Sequence, residues 1–306
     1  MKKKQPLRAA QEPVMKGNAL ALVGREREIR FIEACLRAQK NVLLEGPVGV
    51  GKTVLALEVL SRLGVAVFRI DGDSRYSEQK LAGSFNPTLV LKKGYSWSSF
   101  VQGPLVDAMR SGGVLFINEM NRLPEGVQNI LLPAMDERKI SIPALGQKSG
   151  LVEAKPGFRV IATQNPKEFV ATTHLSEAVL DRFELVRVDY QTEEEECAIV
   201  ASHLGEHDAL VLASVGIARA TRAHEKIRRG ASVRAAISIA MVARELMATG
   251  DTLKVAIETA TQLCLPTRIE AEASELDGGV EKITVDSILA EIVEIFFQTF
   301  DGKKKN

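Results

Sequence analysis

The sequence predicts an α/β fold in which a parallel sheet carries helices on both faces, followed by a small all-α lid domain. Two observations support this prediction. Up to Tyr190, short runs that are apolar on both faces alternate with segments of helical spacing, as in a sheet buried on both sides. Beyond Tyr190 only helical spacing recurs, divided by glycine and proline turn signals. We therefore expect a disordered lead over 1–18, an α/β domain over 19–190 and a helical domain over 191–306.

The composition is that of a globular protein large enough for two hydrophobic cores. Of its 306 residues, 45% are hydrophobic and 26% are charged. Lys and Arg number 40 against 39 for Asp and Glu, so the net charge of +1 creates no broad positive field and nucleic acid is not the expected partner. The three cysteines are scattered, and no apolar run reaches the length of a membrane span. We expect a cytoplasmic protein without a membrane span.

In the first domain the pattern predicts an opening helix and then five strands. The helix covers 25–39, because Ile29, Ile32 and Leu36 recur on one face. The predicted strands cover 41–45, 65–70, 114–117, 159–162 and 185–188, and a helix over 53–63 follows the first of them. Ligands of such a sheet gather at the carboxyl ends of its strands.

Two insertions interrupt this alternation. The first, 84–102, contains Tyr95, Trp97 and Phe100, which form either a small internal core or a tip that grips a partner. The second, 139–153, has Ile140 and Ile142 in alternation before a proline and a glycine, which predicts a hairpin.

The second domain is predicted to be helical throughout. Its helices cover 193–204, 210–227, 232–248, 252–263 and 284–297. The acidic run 193–196 suits the first turn of a helix, where negative charge is favoured.

The clearest motif stands between the first strand and the helix that follows it. The run Gly46-Pro47-Val48-Gly49-Val50-Gly51-Lys52-Thr53 matches the phosphate-binding pattern G-x-x-x-x-G-K-S/T. In such a loop the backbone N–H groups and the helix N-terminus surround the phosphates. Lys52 is expected to neutralise the phosphates and Thr53 to bind Mg²⁺, so the expected cofactors are ATP and Mg²⁺. The alternative is a glycine-rich turn that matches by chance.

Seven blocks, in order between about residues 22 and 245, resemble the AAA+ superfamily of P-loop NTPases and, more closely, its MoxR-type branch. They are the phosphate loop, Gly103-Pro104-Leu105 with Ala108-Met109, Asn118-Glu119-Met120-Asn121-Arg122, Gln128-Asn129-Ile130-Leu131-Leu132, Ile161-Ala162-Thr163-Gln164-Asn165-Pro166, Leu180-Asp181-Arg182-Phe183, and Gly230-Ala231-Ser232-Val233-Arg234.

The residues after the third strand are expected to complete the ATPase site. Glu119 is the candidate base or water-orienting group, and Asn118 is a candidate metal-binding residue with Thr53. An aspartate normally stands where this chain has Asn118, and an amide lacks its charge. Neutral hydrogen bonds contribute roughly 0.5 to 1.5 kcal/mol against about 1.5 to 3 for charged ones. We expect Mg²⁺ binding to be weakened around tenfold, with hydrolysis retained but slowed.

The resemblance implies roles for other residues, each with a simpler alternative. Asn165 would be the sensor of the attacking water or γ-phosphate; the alternative is a cap of the turn before Pro166. Arg182 would be an arginine finger reaching the neighbouring subunit's site, or else a surface partner of Asp181 or Glu184.

Two further roles follow from the same resemblance. Arg234, near the start of a helix that Ser232 is suited to cap, would be the second sensor, or else an exposed arginine paired with an acid. Val23 and Gly24 would line the adenine pocket.

A finger supplied by a neighbour implies a ring, and the resemblance implies a hexamer. The expected function is an ATP-driven chaperone that remodels or activates a partner protein or enzyme complex, including metal or cofactor maturation, with a companion bearing a von Willebrand factor A domain. Two alternatives stay open. One is a ring motor on nucleic acid, which the near-neutral charge disfavours, and the other is an ATP-gated binding module with little hydrolysis.

Overall fold

The computed structural model describes residues 22–146, 148–165, 175–271 and 284–303. For residues 301–303 it describes the backbone alone. The lead predicted to be disordered, and Pro166, lie outside the described residues. Contacts between Cα atoms divide the chain into two compact units, residues 1–47 with 51–189 and residues 48–50 with 190–306.

The first unit alternates helices and strands. In chain order it contains α1 (Glu26–Arg37), β1 (Asn41–Glu45), α2 (Lys52–Arg62), β2 (Val67–Asp71), α3 (Glu78–Ala82), β3 (Gly83–Phe85), α4 (Pro87–Lys93), β4 (Phe100–Gln102), α5 (Pro104–Ser111), β5 (Val114–Asn118), α6 (Glu125–Asp136), β6 (Lys139–Ser141), β7 (Leu151–Glu153), β8 (Arg159–Gln164), α7 (Glu177–Leu180) and β9 (Phe183–Arg187).

Five of these strands form the predicted parallel sheet, in the order β2-β5-β8-β1-β9. The inner strands are buried on both faces because their central residues are apolar, as Leu43 of β1, Phe116 of β5 and Val160 of β8 show. The carboxyl ends of β5, β8 and β1 are neighbours, since β8 lies between the other two. The phosphate loop, Asn118 and Asn165 therefore follow three adjacent strands.

Each of the two insertions contains a pair of antiparallel strands. The second is the predicted hairpin, with Ile140 of β6 opposite Val152 of β7. In the first, β3 pairs with β4 and places Phe85 opposite Phe100. Phe100 is buried, and Trp97 is partly buried against the same core. The internal-core interpretation is therefore confirmed for these two aromatic residues.

Tyr95 behaves differently from the other two aromatic residues of the insertion. It contacts the edge of Phe85, with ring centroids 4.9 Å apart, while 63% of its surface stays exposed. Trp97 also ties the two insertions together, because its indole N–H donates to the backbone oxygen of Ser149 at 2.9 Å.

The second unit is mostly helical. It contains α8 (Glu193–Leu204), α9 (Ala209–Ala223), β10 (Ile227–Arg229), α10 (Val233–Ala248), α11 (Leu253–Cys264), β11 (Glu270–Ala271) and α12 (Val285–Lys303). The structure adds a short antiparallel ribbon, β10 with β11, that the sequence did not indicate. The helix predicted over 210–227 ends early, because His224 takes an extended backbone with ψ 126°. Among the described helices, none has the length and apolar character needed to cross a bilayer.

Candidate nucleotide-binding site

The phosphate loop has a backbone that requires glycine. Gly49 and Gly51 have φ values of 81° and 87°, a conformation that L side chains rarely adopt. A Cβ on Gly46 would lie 1.9 Å from the backbone oxygen of Val188. Helix α2 starts directly after Gly51, which provides no side-chain cap, so the first N–H groups of the helix are available to an anion.

Lys52 reaches back over this loop. Its Nζ donates to the backbone oxygens of Gly46 and Pro47, both at 2.7 Å. These carbonyl groups are neutral acceptors, whereas phosphate oxygens carry charge and form stronger bonds with an ammonium group. The side chain is therefore held where it would meet phosphates bound in the loop.

Thr53 connects the loop to the end of β5. Its hydroxyl donates to Oδ1 of Asn118 at 2.7 Å, and the hydroxyl of Thr163 donates to the same oxygen at 3.1 Å. The amide of Asn118 completes the cluster, because its Nδ2 donates to Oδ1 of Asp71 at 2.9 Å. The structure thus brings together the two predicted metal-binding residues, Thr53 and Asn118, and joins them to Asp71 and Thr163.

Asp71 and Thr163 are not among the site residues that the sequence motifs predicted. The available signal was their position, since each is polar and lies at or near the carboxyl end of a strand that borders β5. Asp71 is ionised at neutral pH. Its hydrogen bonds from Arg69 and from Asn118 lower the pKa of this carboxyl against the opposing effect of partial burial.

Glu119 stands at a strained turn directly after β5. Its φ of 56° is left-handed, which is uncommon for a residue other than glycine and recurs at functional sites. A hydrogen bond holds this turn in place, because the backbone N–H of Glu119 donates to Oγ1 of Thr163 at 2.9 Å. The carboxylate is 43% exposed and pairs with Arg122 at 3.2 Å. A water molecule can therefore reach the carboxylate from solvent.

Asn165 follows β8 at the same edge of the sheet. It is buried, and its backbone oxygen accepts a hydrogen bond from Nδ2 of Asn121 at 3.3 Å. Asn121 lies in the turn that also contains Glu119. Glu119 and Asn165 therefore lie at the same edge of the sheet, next to β1, the strand that leads into the phosphate loop.

Arg182 lies at the opposite end of the sheet. Its backbone oxygen accepts from Nδ2 of Asn41, the first residue of β1, at 3.1 Å. The phosphate loop follows the other end of this strand. The strand has five residues of about 3.3 Å each, and its length separates Arg182 from the loop. Arg182 therefore cannot reach the phosphate loop of the same chain.

The guanidinium of Arg182 is held at the surface by an ion pair. Its Nη2 lies 2.7 Å from Asp136 and its Nη1 lies 3.4 Å from Asp181. Asp136, which the sequence analysis did not consider, is the closer partner, while Glu184 pairs with Lys40 at 3.7 Å. The pair with Asp136 also raises the pKa of Arg182.

The remaining predicted residues occupy local turns. Val23 and Gly24 precede α1, where Gly24 has a φ of 67°, and the next side chain, Arg25, donates to the backbone oxygen of Asp189 at 2.6 Å. In the second unit Arg234 is exposed in the first turn of α10. Ser232 occupies the N-cap position of α10, but its side chain makes no capping hydrogen bond, so the suggested cap is wrong.

The oxygen atoms in and beside the phosphate loop are suitable ligands for a magnesium ion. Thr53, Asn118 and Asp71 present hydroxyl, amide and carboxylate oxygens, the ligand type that Mg²⁺ prefers. Within the described ranges no group of three or more His, Cys, Asp or Glu side chains forms a metal cage.

Comparison with known proteins agrees with this geometry. The family described as AAA domain (dynein-related subfamily) matches residues 41–183, which begin at β1 and end at the start of β9. Over these residues the chain is similar to AAA domains of this subfamily. Two solved structures share its fold, with a TM-score of 0.51 or 0.52, and at their low identities they show the fold alone. A RuvB mutant from Thermotoga maritima is 19% identical, covering 79% of this chain and 70% of that one. NtrX from Brucella abortus in complex with ADP is 17% identical, covering 76% and 52%.

Several relatives by sequence carry the name gas vesicle ATPase, as two examples show. Gas vesicle ATPase GvpN2 of Halobacterium salinarum is 31% identical over 71% of this chain and 65% of the relative. Gas vesicle ATPase GvpN of Ancylobacter aquaticus is 30% identical over 68% of this chain and 62% of the relative. The chain therefore spans slightly less than two thirds of the length of these relatives.

Proposed function

We propose that this chain is an ATP-hydrolysing AAA+ ATPase of MoxR type that works as a ring and remodels or activates a partner protein. The observation that carries the proposal is the contact of Thr53 with Asn118. It joins the phosphate loop to the strand end where Glu119 stands. A loop that holds phosphates and an adjacent exposed carboxylate are the two parts that ATP hydrolysis requires.

In the proposed reaction the loop N–H groups and Lys52 bind the β- and γ-phosphates. Mg²⁺, held by Thr53 and Asn118, would neutralise the charge that develops on the phosphates. Glu119 orients the attacking water and accepts its proton. Asn165, at the neighbouring strand end, holds the water or the γ-phosphate by a hydrogen bond, and Val23 and Gly24 line the adenine pocket.

The position of Arg182, at the end of β1 away from the phosphate loop, supports the proposed ring. Since it cannot reach its own phosphate loop, it serves the loop of a neighbouring subunit, and a hexamer is the arrangement that we propose. Its ion pair with Asp136 is partly exposed, and such surface pairs are weak, so a phosphate can displace the carboxylate. Arg234 acts as the second sensor of the γ-phosphate.

The client is proposed to be a protein assembly. Because two relatives are named gas vesicle ATPases, gas vesicle proteins are the first clients to test. A companion with a von Willebrand factor A domain and a cytoplasmic location also belong to the proposal. Nucleic acid is not the proposed substrate, because a net charge of +1 gives little attraction for phosphate backbones.

The test is the substitution Glu119→Gln. It removes the carboxylate that orients water and keeps the shape of the side chain. We expect ATP hydrolysis to fall about 10²- to 10⁴-fold, as general bases commonly contribute, while ATP affinity changes little. Phosphate release and binding of a fluorescent ATP analogue measure the two quantities. The matched control is Glu125→Gln, the same change at an exposed acid six residues along the chain, which should leave both unchanged.

The same variant tests the client. With ATP present, the arrested ring should retain its client in a pull-down, and candidate gas vesicle proteins can be supplied directly. Hydrolysis that survives Glu119→Gln undiminished would contradict the assigned role. Tight ATP binding without any turnover by the natural chain would favour the binding-module alternative.

A further inference from the structure

Asp71 and Asn118 face each other across two parallel strands. In the register of β2 with β5 they are direct partners, and Nδ2 of Asn118 donates to Oδ1 of Asp71 at 2.9 Å. An ionised carboxylate accepts hydrogen bonds and has no hydrogen to donate, whereas the two ends of an amide differ. Asp71 therefore determines which end of the Asn118 amide faces it.

The other end of the amide is turned towards the phosphate loop. Its oxygen accepts from Thr53 at 2.7 Å and from Thr163 at 3.1 Å. A hydroxyl has one hydrogen, and Thr53 uses it in this bond, so the lone pairs of its oxygen stay available to a cation. With the amide reversed, Nδ2 would donate to Thr53, occupy a lone pair and turn the hydroxyl hydrogen towards the cation.

We propose that Asp71 is a positioning residue of the magnesium site. It holds the amide of Asn118 in the orientation that leaves Thr53 able to bind Mg²⁺. Asp71 also supplies a negative charge from the neighbouring strand, close to Asn118, whose amide carries none. This inference rests on the proposed function of the site as an Mg²⁺-ATP site. Arg69, 2.7 Å from Asp71, offsets part of its charge, so orientation is the larger effect.

The arrangement has a consequence for the neighbouring position. The single substitution Asn118→Asp would set two carboxylates within hydrogen-bond distance of each other, where like charges repel. The exchange variant, Asp71→Asn together with Asn118→Asp, keeps one amide and one carboxylate in contact. It should retain the hydrogen bond with its direction reversed.

The test measures ATP affinity with and without Mg²⁺, using a fluorescent ATP analogue. Asp71→Asn should reduce the enhancement by Mg²⁺ about tenfold, the effect expected for one charge-assisted hydrogen bond. The exchange variant should regain most of it. Asp73→Asn is the matched control, because it removes an equal charge two residues away, where the carboxylate pairs with Arg75 instead.

A second measurement does not depend on nucleotide. In thermal unfolding of the nucleotide-free chain, Asn118→Asp should lower the Tm and the exchange variant should restore it. Asp71→Asn with an unchanged Mg²⁺ enhancement, or Asn118→Asp with an unchanged Tm, would overturn the inference. Failure of the natural chain to bind ATP at all would instead refute the proposed function, and the unfolding data would still decide whether the two side chains are coupled.

Discussion

A single glycine governs how closely the phosphate loop packs on the sheet. Gly46 follows β1, and the space that a Cβ would fill there is taken by the backbone oxygen of Val188. That oxygen belongs to a residue whose N–H donates to Glu45 at 2.7 Å, so it is fixed by the pairing of β9 with β1. The loop can keep this path only without a side chain at position 46.

We expect Gly46→Ala to disturb the loop. Relief of the clash requires a backbone shift, and overpacking of this kind costs about 1 to 3 kcal/mol. ATP affinity should fall at least tenfold, and the Tm should drop. The control Gly126→Ala adds the same methyl group in α6, where it meets only a side-chain oxygen of Glu78 at 3.3 Å and where alanine is favoured by about 1 kcal/mol. Equal behaviour of the two variants would show that Gly46 is not constrained.

Among the site residues, the sequence predicted those within a continuous motif and missed those defined by distant contacts. Gly51, Lys52 and Thr53 could be predicted because the loop chemistry depends on local spacing. Asp71 lies 47 residues from Asn118, and Asp136 lies 46 residues from Arg182. Their partners depend on strand order and on helix packing, which the spacing of residues along the chain does not reveal.

Between helices, a buried charge network stabilises the second unit. Glu196 of α8 is 2% exposed and lies between two arginines of α9. Arg219 donates to it at 3.0 Å and Arg222 at 3.1 Å. A second nitrogen of Arg222 lies 2.7 Å from the carboxylate without the geometry of a hydrogen bond, and the guanidinium also stacks over Tyr190 at 4.0 Å.

Glu196→Gln should destabilise this unit. The substitution leaves Arg222, whose side chain is only 14% exposed, without the charge of Glu196, and breaking a buried ion pair typically costs about 3 to 5 kcal/mol. Thermal unfolding should show a clearly lower Tm, whereas Glu194→Gln, at an exposed position of the same first turn, should have little effect. If the network contributes nothing to stability, the two variants will have the same Tm.

The elements themselves followed the sequence closely where periodicity was long. The helix predicted over 193–204 is α8, because its acidic start and the glycine after it mark both ends. The short strands β3, β4, β10 and β11 were missed, since two or three residues carry no measurable period. Each of them is defined by its partner, as with Ile227 opposite Ala271.

For the assembled protein, the central prediction concerns two subunits. If Arg182 serves a neighbour, then Arg182→Ala should keep ATP binding and lose about 10³- to 10⁵-fold in turnover. Mixing it with Glu119→Gln subunits should restore activity, because some interfaces then combine an intact Glu119 with an intact arginine. Random mixing in a closed ring predicts recovery to about a quarter of the natural rate.

A matched mixture controls for this recovery. Glu119→Gln combined with Lys52→Ala leaves every phosphate site defective, so its turnover should stay low. Recovery in that mixture, or none in the first, would show that Arg182 does not act across an interface. Loss of ATP binding in Arg182→Ala would instead assign it a structural role through Asp136.

The bond from Trp97 to Ser149 has a practical consequence. Trp97 is the chain's single tryptophan, and its ring is stacked under Arg110 at 5.0 Å while its N–H holds the neighbouring insertion. Indole emission depends on the polarity around the ring. Fluorescence of the unlabelled protein therefore reports whether the two insertions stay joined while ATP binds and turns over.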